Sequence, residues 1–286
     1  MRRASTRPGG VLHPHAARAH CQLVRHAPAD DLSPWIERHW TVRWDLRERP
    51  PHVQETLPHP CVNLAITEHG AAIYGCETRR SGVQLTGEGR VFGTKFRPGA
   101  FFPFLRRPLS QLTDRSVPLR EVFGPRADEL AADVLAVDDD AAQIALVEAF
   151  LRELSPRRDT GVDRVIEVVQ LALDRPAVAR VEDLAELAQI PARTLQRLFR
   201  RYVGVSPKWV IRCFRLHEAA ERLAAGRVLD GASLAAELGY FDQAHFIRDF
   251  KALIGSAPSE YAARCAAQAA GGAPPASGAT TSITIL

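Results

Sequence analysis

Nowhere in its 286 residues does the chain carry an uninterrupted apolar run of the roughly 18 residues that a membrane span needs. The opening segment, MRRASTRPGGVLHPHAARAH, also lacks the apolar core of about 7–15 residues on which secretion depends. Neither a membrane protein nor an exported one is expected. Cysteine is sparse: Cys21, Cys61, Cys76, Cys213 and Cys265 are odd in number and scattered, with no CxxC pair. A disulfide framework or a zinc knuckle is therefore not expected, and a reducing cytoplasm fits best. Aromatic residues make up only 7% of the chain, and 37 Lys+Arg against 33 Asp+Glu leave a net charge of only +4. That excess, averaged over the chain, does not by itself indicate a polyanionic partner. What remains, 46% hydrophobic and 24% charged, describes a soluble globular chain of one to three domains.

The distribution of charge says more than its sum. Between Ala192 and Leu216 stand seven basic residues (Arg193, Arg197, Arg200, Arg201, Lys208, Arg212 and Arg215) and no acidic one. Glu182, Asp183, Glu186, Glu218 and Glu221 surround this stretch, so positive charge is concentrated on particular helices.

Three textures divide the chain. Residues 1–28 and 269–286, rich in small residues, Pro and Gly, read as tails outside the fold. From about Leu32 to Phe123 short apolar or alternating runs such as His39 to Trp44, Val62 to Ile66 and Arg90 to Phe96 are punctuated by turn residues. Such spacing implies a small β-barrel or sandwich. Helical periodicity at Ala127 to Val137 and Asp138 to Leu154 closes this first domain, 29–155. Ser155 to Gly161 reads as a linker, and 160–264 reads as helices throughout, which gives an α+β fold class overall.

The helical half repeats once. At an offset of 51, Ala185-Glu186-Leu187 matches Ala236-Glu237-Leu238, Ile190 falls on Phe241, Leu195 on Phe246, Arg197 on Arg248, Phe199 on Phe250, Gly204 on Gly255 and Pro207 on Pro258, without an insertion. Each copy has the grammar of a helix-turn-helix: a short apolar helix, a tight turn, then a longer basic helix. In the first copy Leu184, Leu187 and Ala188 with Leu195, Leu198 and Phe199 supply the apolar seam, leaving Arg193, Gln196, Arg197 and Arg200 on the open face. A helix fits the B-DNA major groove, where Arg pairs with guanine O6/N7 and Gln with adenine N6/N7. In the second copy Asp242 is a natural N-cap, and Gln243, His245, Arg248 and Lys251 are the polar candidates; His245 has a packing role as its alternative. Lys208 to Ala225 reads as a connecting helix roughly 27 Å long, able to set two recognition helices about one DNA turn apart.

Gly239-Tyr240-Phe241-Asp242-Gln243-Ala244-His245-Phe246-Ile247-Arg248-Asp249-Phe250-Lys251, followed by Gly255, Pro258 and Tyr261, closely resembles the signature of AraC/XylS transcription regulators. Leu195 to Arg201, Gly204, Ser206-Pro207 and Arg215 to Ala220 look like the same family. The resemblance covers Val162 to Arg264 and implies a sequence-specific DNA-binding regulator that is not an enzyme. It places the base-facing positions on Arg193, Gln196 and Arg197 and on Gln243, Ala244, His245 and Arg248. Ala244 can offer only apolar contact, such as to a thymine methyl, and Arg200, Lys208 and Lys251 suit phosphate better than bases. Double-stranded DNA is the implied partner, with RNA polymerase joining it if the protein activates. The front region, from Leu32 through Leu57-Pro58-His59-Pro60-Cys61 to Phe102, resembles a cupin-like module, which implies response to a small-molecule effector or formation of a homodimer.

Two further readings concern the front region. Eight of the ten histidines lie within the first 69 residues, and His52, Glu55, His59 and Cys61 have metal-ligating atoms. They lack the HxH-then-Glu spacing of metal cupins, so no metal and no cofactor is expected. Trp35, Trp40, Trp44, Phe92, Phe96, Phe101, Phe102 and Phe104, with Arg97, Arg106 and Arg107, suit either a pocket for an anionic ligand or simple core filling. The alternative to a regulator is an enzyme, a metal-dependent cupin or an alkyl-transfer repair protein fused to the same helices. The latter needs clustered, activated cysteines, which the sequence does not show.

Overall fold

The computed structural model describes residues 19–227 and 230–269. Most of the two expected tails lies outside that range. Within it, Gln22–His26 is a strand rather than tail, because its backbone pairs along its length with residues 39–43 of the next strand. The front domain therefore starts about seven residues earlier than the composition suggests.

The architecture is α+β. In chain order come β1 (Gln22–His26), β2 (Ile36–Leu46), β3 (His52–Thr56), β4 (Asn63–Thr67), β5 (Gly70–Tyr74), β6 (Ser81–Leu85), β7 (Gly87–Phe96) and β8 (Ser116–Pro118). Among the described residues they form a six-stranded antiparallel sheet, β1-β2-β7-β4-β5-β8, and a separate ribbon of β3 with β6. The long β2 and β7 are its spine. Trp40 and Trp44 lie flat over Gly93 and Gly89 of β7, where any side chain would collide with the indole rings.

Short helices α1 (Phe102–Leu105) and α2 (Leu119–Phe123) and longer helices α3 (Arg126–Ala136) and α4 (Asp140–Glu153) follow. Asp139 caps α4 by accepting from the Ala142 N–H at 2.8 Å. Helix α4 is tied to the sheet by charge: Asp140 accepts from His26, Thr41 and Arg43, and Glu148 meets the buried His39.

The second half is helical: α5 (Thr160–Asp174), α6 (Val181–Leu187), α7 (Ala192–Tyr202), α8 (Pro207–Ala224), α9 (Gly231–Glu237), α10 (Gln243–Ile254) and α11 (Pro258–Ala269). The connection expected to be a loose linker is pinned instead. Asp159 caps α5 through the Gly161 N–H at 2.7 Å and accepts from the Tyr202 hydroxyl at 3.2 Å. One hydrophobic core runs without a break from Leu64, Phe96, Phe101 and Phe102 of the front domain to Leu195, Phe199 and Tyr202 of α7. A second core holds Leu216, Leu234, Phe246, Phe250 and Tyr261, and Leu57 enters it from the front domain.

Candidate nucleic-acid interface

Helices α6 and α7 make the first helix-turn-helix, and α9 and α10 the second, with α8 between them. Leu184, Ala188, Leu195 and Phe199 are buried in the first seam as expected, and Leu198 is half-buried. Leu187 is 40% exposed and does not belong to that seam. Helix α8 is started by Ser206, which accepts from the Trp209 N–H at 3.2 Å, and by Pro207 in its first turn. Its buried side, including Val210, Phe214, Leu216, Ala220 and Leu223, packs against both units.

The two units are not related by a constant offset. The buried residues of α6, Leu184, Ala185 and Ala188, correspond to Leu234, Ala235 and Leu238, which is an offset of 50. Gln189 and Gly239 both take a left-handed backbone, and the Ile190 and Tyr240 N–H groups donate to Ala185 and Ala235. From the N-caps Pro191 and Asp242 onward the offset is 51. The match of Ala185-Glu186-Leu187 to Ala236-Glu237-Leu238 is thus one residue out of register, and Ile190 corresponds to Tyr240. Phe241 is the inserted residue, and it stands 96% exposed at the head of α10. Identical letters outweighed the burial pattern in the sequence, where both offsets give apolar matches.

Arg193, Gln196, Arg197, Arg200, Lys208, Gln243, Ala244, His245, Arg248 and Lys251 are all exposed. Among the described residues no carboxylate pairs with Arg193, Arg197, Arg200, Lys208, Arg248 or Lys251, so their charge is available to an external anion. Gln196, Arg200 and Lys208 converge on one open cleft of about 830 Å³, which Arg180 and front-domain Ser110 also line. His245 Nε2 stands 3.6 Å from Asp249, with its ring edge-on to Tyr240.

The remaining basic residues of the Ala192 to Leu216 stretch serve the fold. Arg201 lies 4.9 Å over the Phe102 ring, joining α7 to the front domain. Arg212 approaches Asp249 at 3.7 Å, and Arg215 is buried with its guanidinium 3.9 Å over Tyr240. Burial lowers the pKa of Arg215.

The front domain grips both units. Thr113 Oγ1 donates to the Gly204 carbonyl at 2.8 Å, and the short 3₁₀ helix Leu109–Gln111 backs onto α7. On the connecting helix α8 the Pro58 carbonyl accepts from His217 Nε2 at 2.9 Å and from Cys213 Sγ at 3.1 Å, and Leu57 beside it enters the core of the second unit. Burial pushes the His217 pKa down to about 4.

The four candidate metal ligands are not brought together. Glu55 pairs with Arg80, His52 stacks on His20, and His59 meets the His217 ring edge-on. Among the described residues no group of three or more His, Cys, Asp or Glu is placed to hold a metal ion. The aromatics divide: Phe96, Phe101 and Phe104 pack together in the core, and Arg97 donates to the Ser33 carbonyl. Cys61, Cys76 and Cys213 are buried, and desolvation raises the pKa of each thiol, the reverse of the activation an alkyl acceptor needs.

Comparison with known proteins agrees with this geometry. Residues 184–264 match the family described as a helix-turn-helix domain, and residues 24–118 match a domain of unknown function (DUF6597). The C-terminal part of the chain is therefore a helix-turn-helix domain, similar in sequence to those of curated transcription regulators. The XylDLEGF operon transcriptional activator 1 of Pseudomonas putida is 29% identical over 111 residues, 38% of this chain and 33% of that protein. An uncharacterized HTH-type transcriptional regulator of Haemophilus influenzae is 35% identical over 81 residues, 28% of this chain and 27% of its own length. The chain spans about a third of the length of the curated relatives it matches. Among solved structures, ToxT from Vibrio cholerae O395 aligns over 85% of this chain and 96% of its own, at 13% identity and a TM-score of 0.37, too slight a likeness to bear on mechanism. No helix among the described residues is long and apolar enough to cross a membrane.

Proposed function

We propose that this chain is a transcription regulator of the AraC/XylS type that reads duplex DNA in the cytoplasm with α7 and α10 in adjacent major grooves. The observation that carries the reading is the pair of helix-turn-helix units on one rigid helix, each presenting exposed Arg, Gln or Lys without a carboxylate partner. Arg193, Gln196 and Arg197 read bases in the first site, and Gln243, Ala244, His245 and Arg248 read the second. Arg200, Lys208 and Lys251 hold phosphates.

Residues 160–264 are the reader, and the front domain supplies effector response or dimerisation. RNA polymerase is a partner if the protein activates. Because the front domain contacts both units, it is placed to set the angle between the two reading helices, and a ligand that alters it has a direct route to DNA affinity.

The test is selection of bound duplexes from a random library by the full-length protein. A non-palindromic motif spanning two adjacent major grooves is expected. Replacing Arg193, Gln196 and Arg197 together with alanine removes preference in one half of that motif, with each lost base contact costing about 1–3 kcal/mol. Selection of no motif, or a motif unchanged by the triple substitution, overturns the reading.

A further inference from the structure

Among the described residues the large apolar side chains left exposed are Val53, Leu187 and Phe241, and Phe241 is much the barest at 96%. It is also the one residue that the second turn has and the first lacks. Its neighbours on both sides have fixed tasks. Tyr240 is buried beneath Arg215 and against Phe246. Asp242 caps α10 by accepting from the His245 N–H at 2.6 Å. With Tyr240 held inward and the cap fixed, the backbone between them presents the Phe241 ring to solvent at the start of α10.

In helix-turn-helix proteins the base contacts come from the N-terminal residues of the recognition helix. Phe241 directly precedes that end, and the first exposed side chains after the cap are Gln243 and Ala244. Phe241 and Ala244 together give this end of α10 an apolar character that α7 does not share, since Arg193 occupies its first turn. Farther along, Arg248 and Lys251 supply cationic flanks for a phosphate backbone. The one carboxylate at the tip, Asp242, is engaged by the helix backbone.

We infer that Phe241 is a specificity-determining residue of the second unit, an apolar contact that takes the C5-methyl group of a thymine at the edge of the major groove, with Ala244 beside it. This rests on the proposal that α10 enters DNA. A major groove offers one apolar feature that differs between bases, and it is the thymine methyl. A wholly exposed ring at the groove mouth suits that feature better than it suits any hydrogen-bonding edge.

The experiment uses the full-length protein and the duplex it selects from a random library, with thymines replaced one at a time by uracil, which removes the methyl and nothing else. Wild-type protein is expected to lose about fourfold in affinity at one position in the second half-site, the worth of one buried methyl group. The Phe241→Ala variant is expected to bind the parent duplex about tenfold more weakly and to show no difference between thymine and uracil at that position. Phe241→Leu, which keeps an apolar side chain, restores part of the discrimination. If Phe241→Ala binds like wild type while Arg197→Ala does not, the inference fails and the reading of DNA by the two helices stands; the exposed ring then serves a protein partner. If Phe241→Ala weakens binding but keeps the thymine preference, the methyl contact is overturned. If wild-type protein selects no duplex, the inference falls together with the function on which it rests.

Discussion

The two helix-turn-helix units share a plan and are stabilised in different ways. In the second, both helices carry their own start signals: Asp230 accepts from the Ala232 and Ser233 N–H groups, and Asp242 from that of His245. In the first, Arg180 and Pro191 occupy the equivalent positions and no side chain caps either helix. What the first unit lacks locally it receives from the front domain, whose core is continuous with its own. The second has a separate core, which the front domain touches through Leu57. A duplicated unit can thus keep its exposed basic face while its stability moves from its own sequence to its neighbour.

The largest effect that would break this contrast comes from the two seam phenylalanines. Phe199→Ala and Phe250→Ala each empty a fully buried site and should each cost about 3–5 kcal/mol. Hydrogen exchange should show Phe199→Ala loosening α7 together with β4, β7 and α1, whereas Phe250→Ala should loosen α9 to α11 and the C-terminal half of α8, with the sheet unaffected. Front-domain strands that stay fully protected in Phe199→Ala would show that the shared core is not a cooperative unit.

Next in size is a pH effect at the connecting helix α8. His217 is kept neutral by burial, with its pKa pushed down to about 4, whereas in the unfolded chain it takes a proton near pH 6.5. The unfolded chain therefore binds more protons as the pH falls. The stability linked to His217 is present in full above pH 6.5 and is lost between 6.5 and 4, by about 3 kcal/mol. Urea unfolding across that range should show the slope, and His217→Gln should flatten it. An unchanged slope in the variant would assign the effect to another group.

Caps give a smaller and more selective effect. Asp242→Ala should destabilise the second unit by about 1 kcal/mol, seen as faster exchange in the first turn of α10. Pro191→Ala removes no capping hydrogen bond from the first unit and should leave α7 nearly unchanged. Smallest is the effect at the two lysines proposed to hold phosphates: Lys208→Ala and Lys251→Ala should each lower the dependence of log affinity on log salt by about 0.9 while leaving the selected motif intact. A change of motif in either variant would make that lysine a base reader.

Helical periodicity made the helical half legible. Leu195, Phe199, Val210, Phe214 and Leu216 announce their buried faces by spacing alone, and Arg193, Gln196 and Arg197 announce the open one. The register of the second turn was not legible, because Ala185-Glu186-Leu187 and Ala236-Glu237-Leu238 are identical strings, and only burial shows Leu234 rather than Ala235 opposite Leu184. The docking of the front domain was also hidden. Leu57, Pro58 and Thr113 lie in short irregular segments whose partners are distant in sequence, and no local pattern encodes them. Basic residues are legible only as charge, since Arg201, Arg212 and Arg215 share a stretch with Arg193, Arg197 and Arg200 and differ from them only in what stands across from them.

The continuous core bears on the order in which the chain is made. Synthesis delivers the front domain first, with Phe101, Phe102 and Leu109 already in place, while the side chains of α7 that cover them are still inside the ribosome. During that interval a wide apolar surface faces water, and it closes only when Phe199 and Tyr202 emerge. The first helix-turn-helix is, for the nascent chain, the last piece of the front domain.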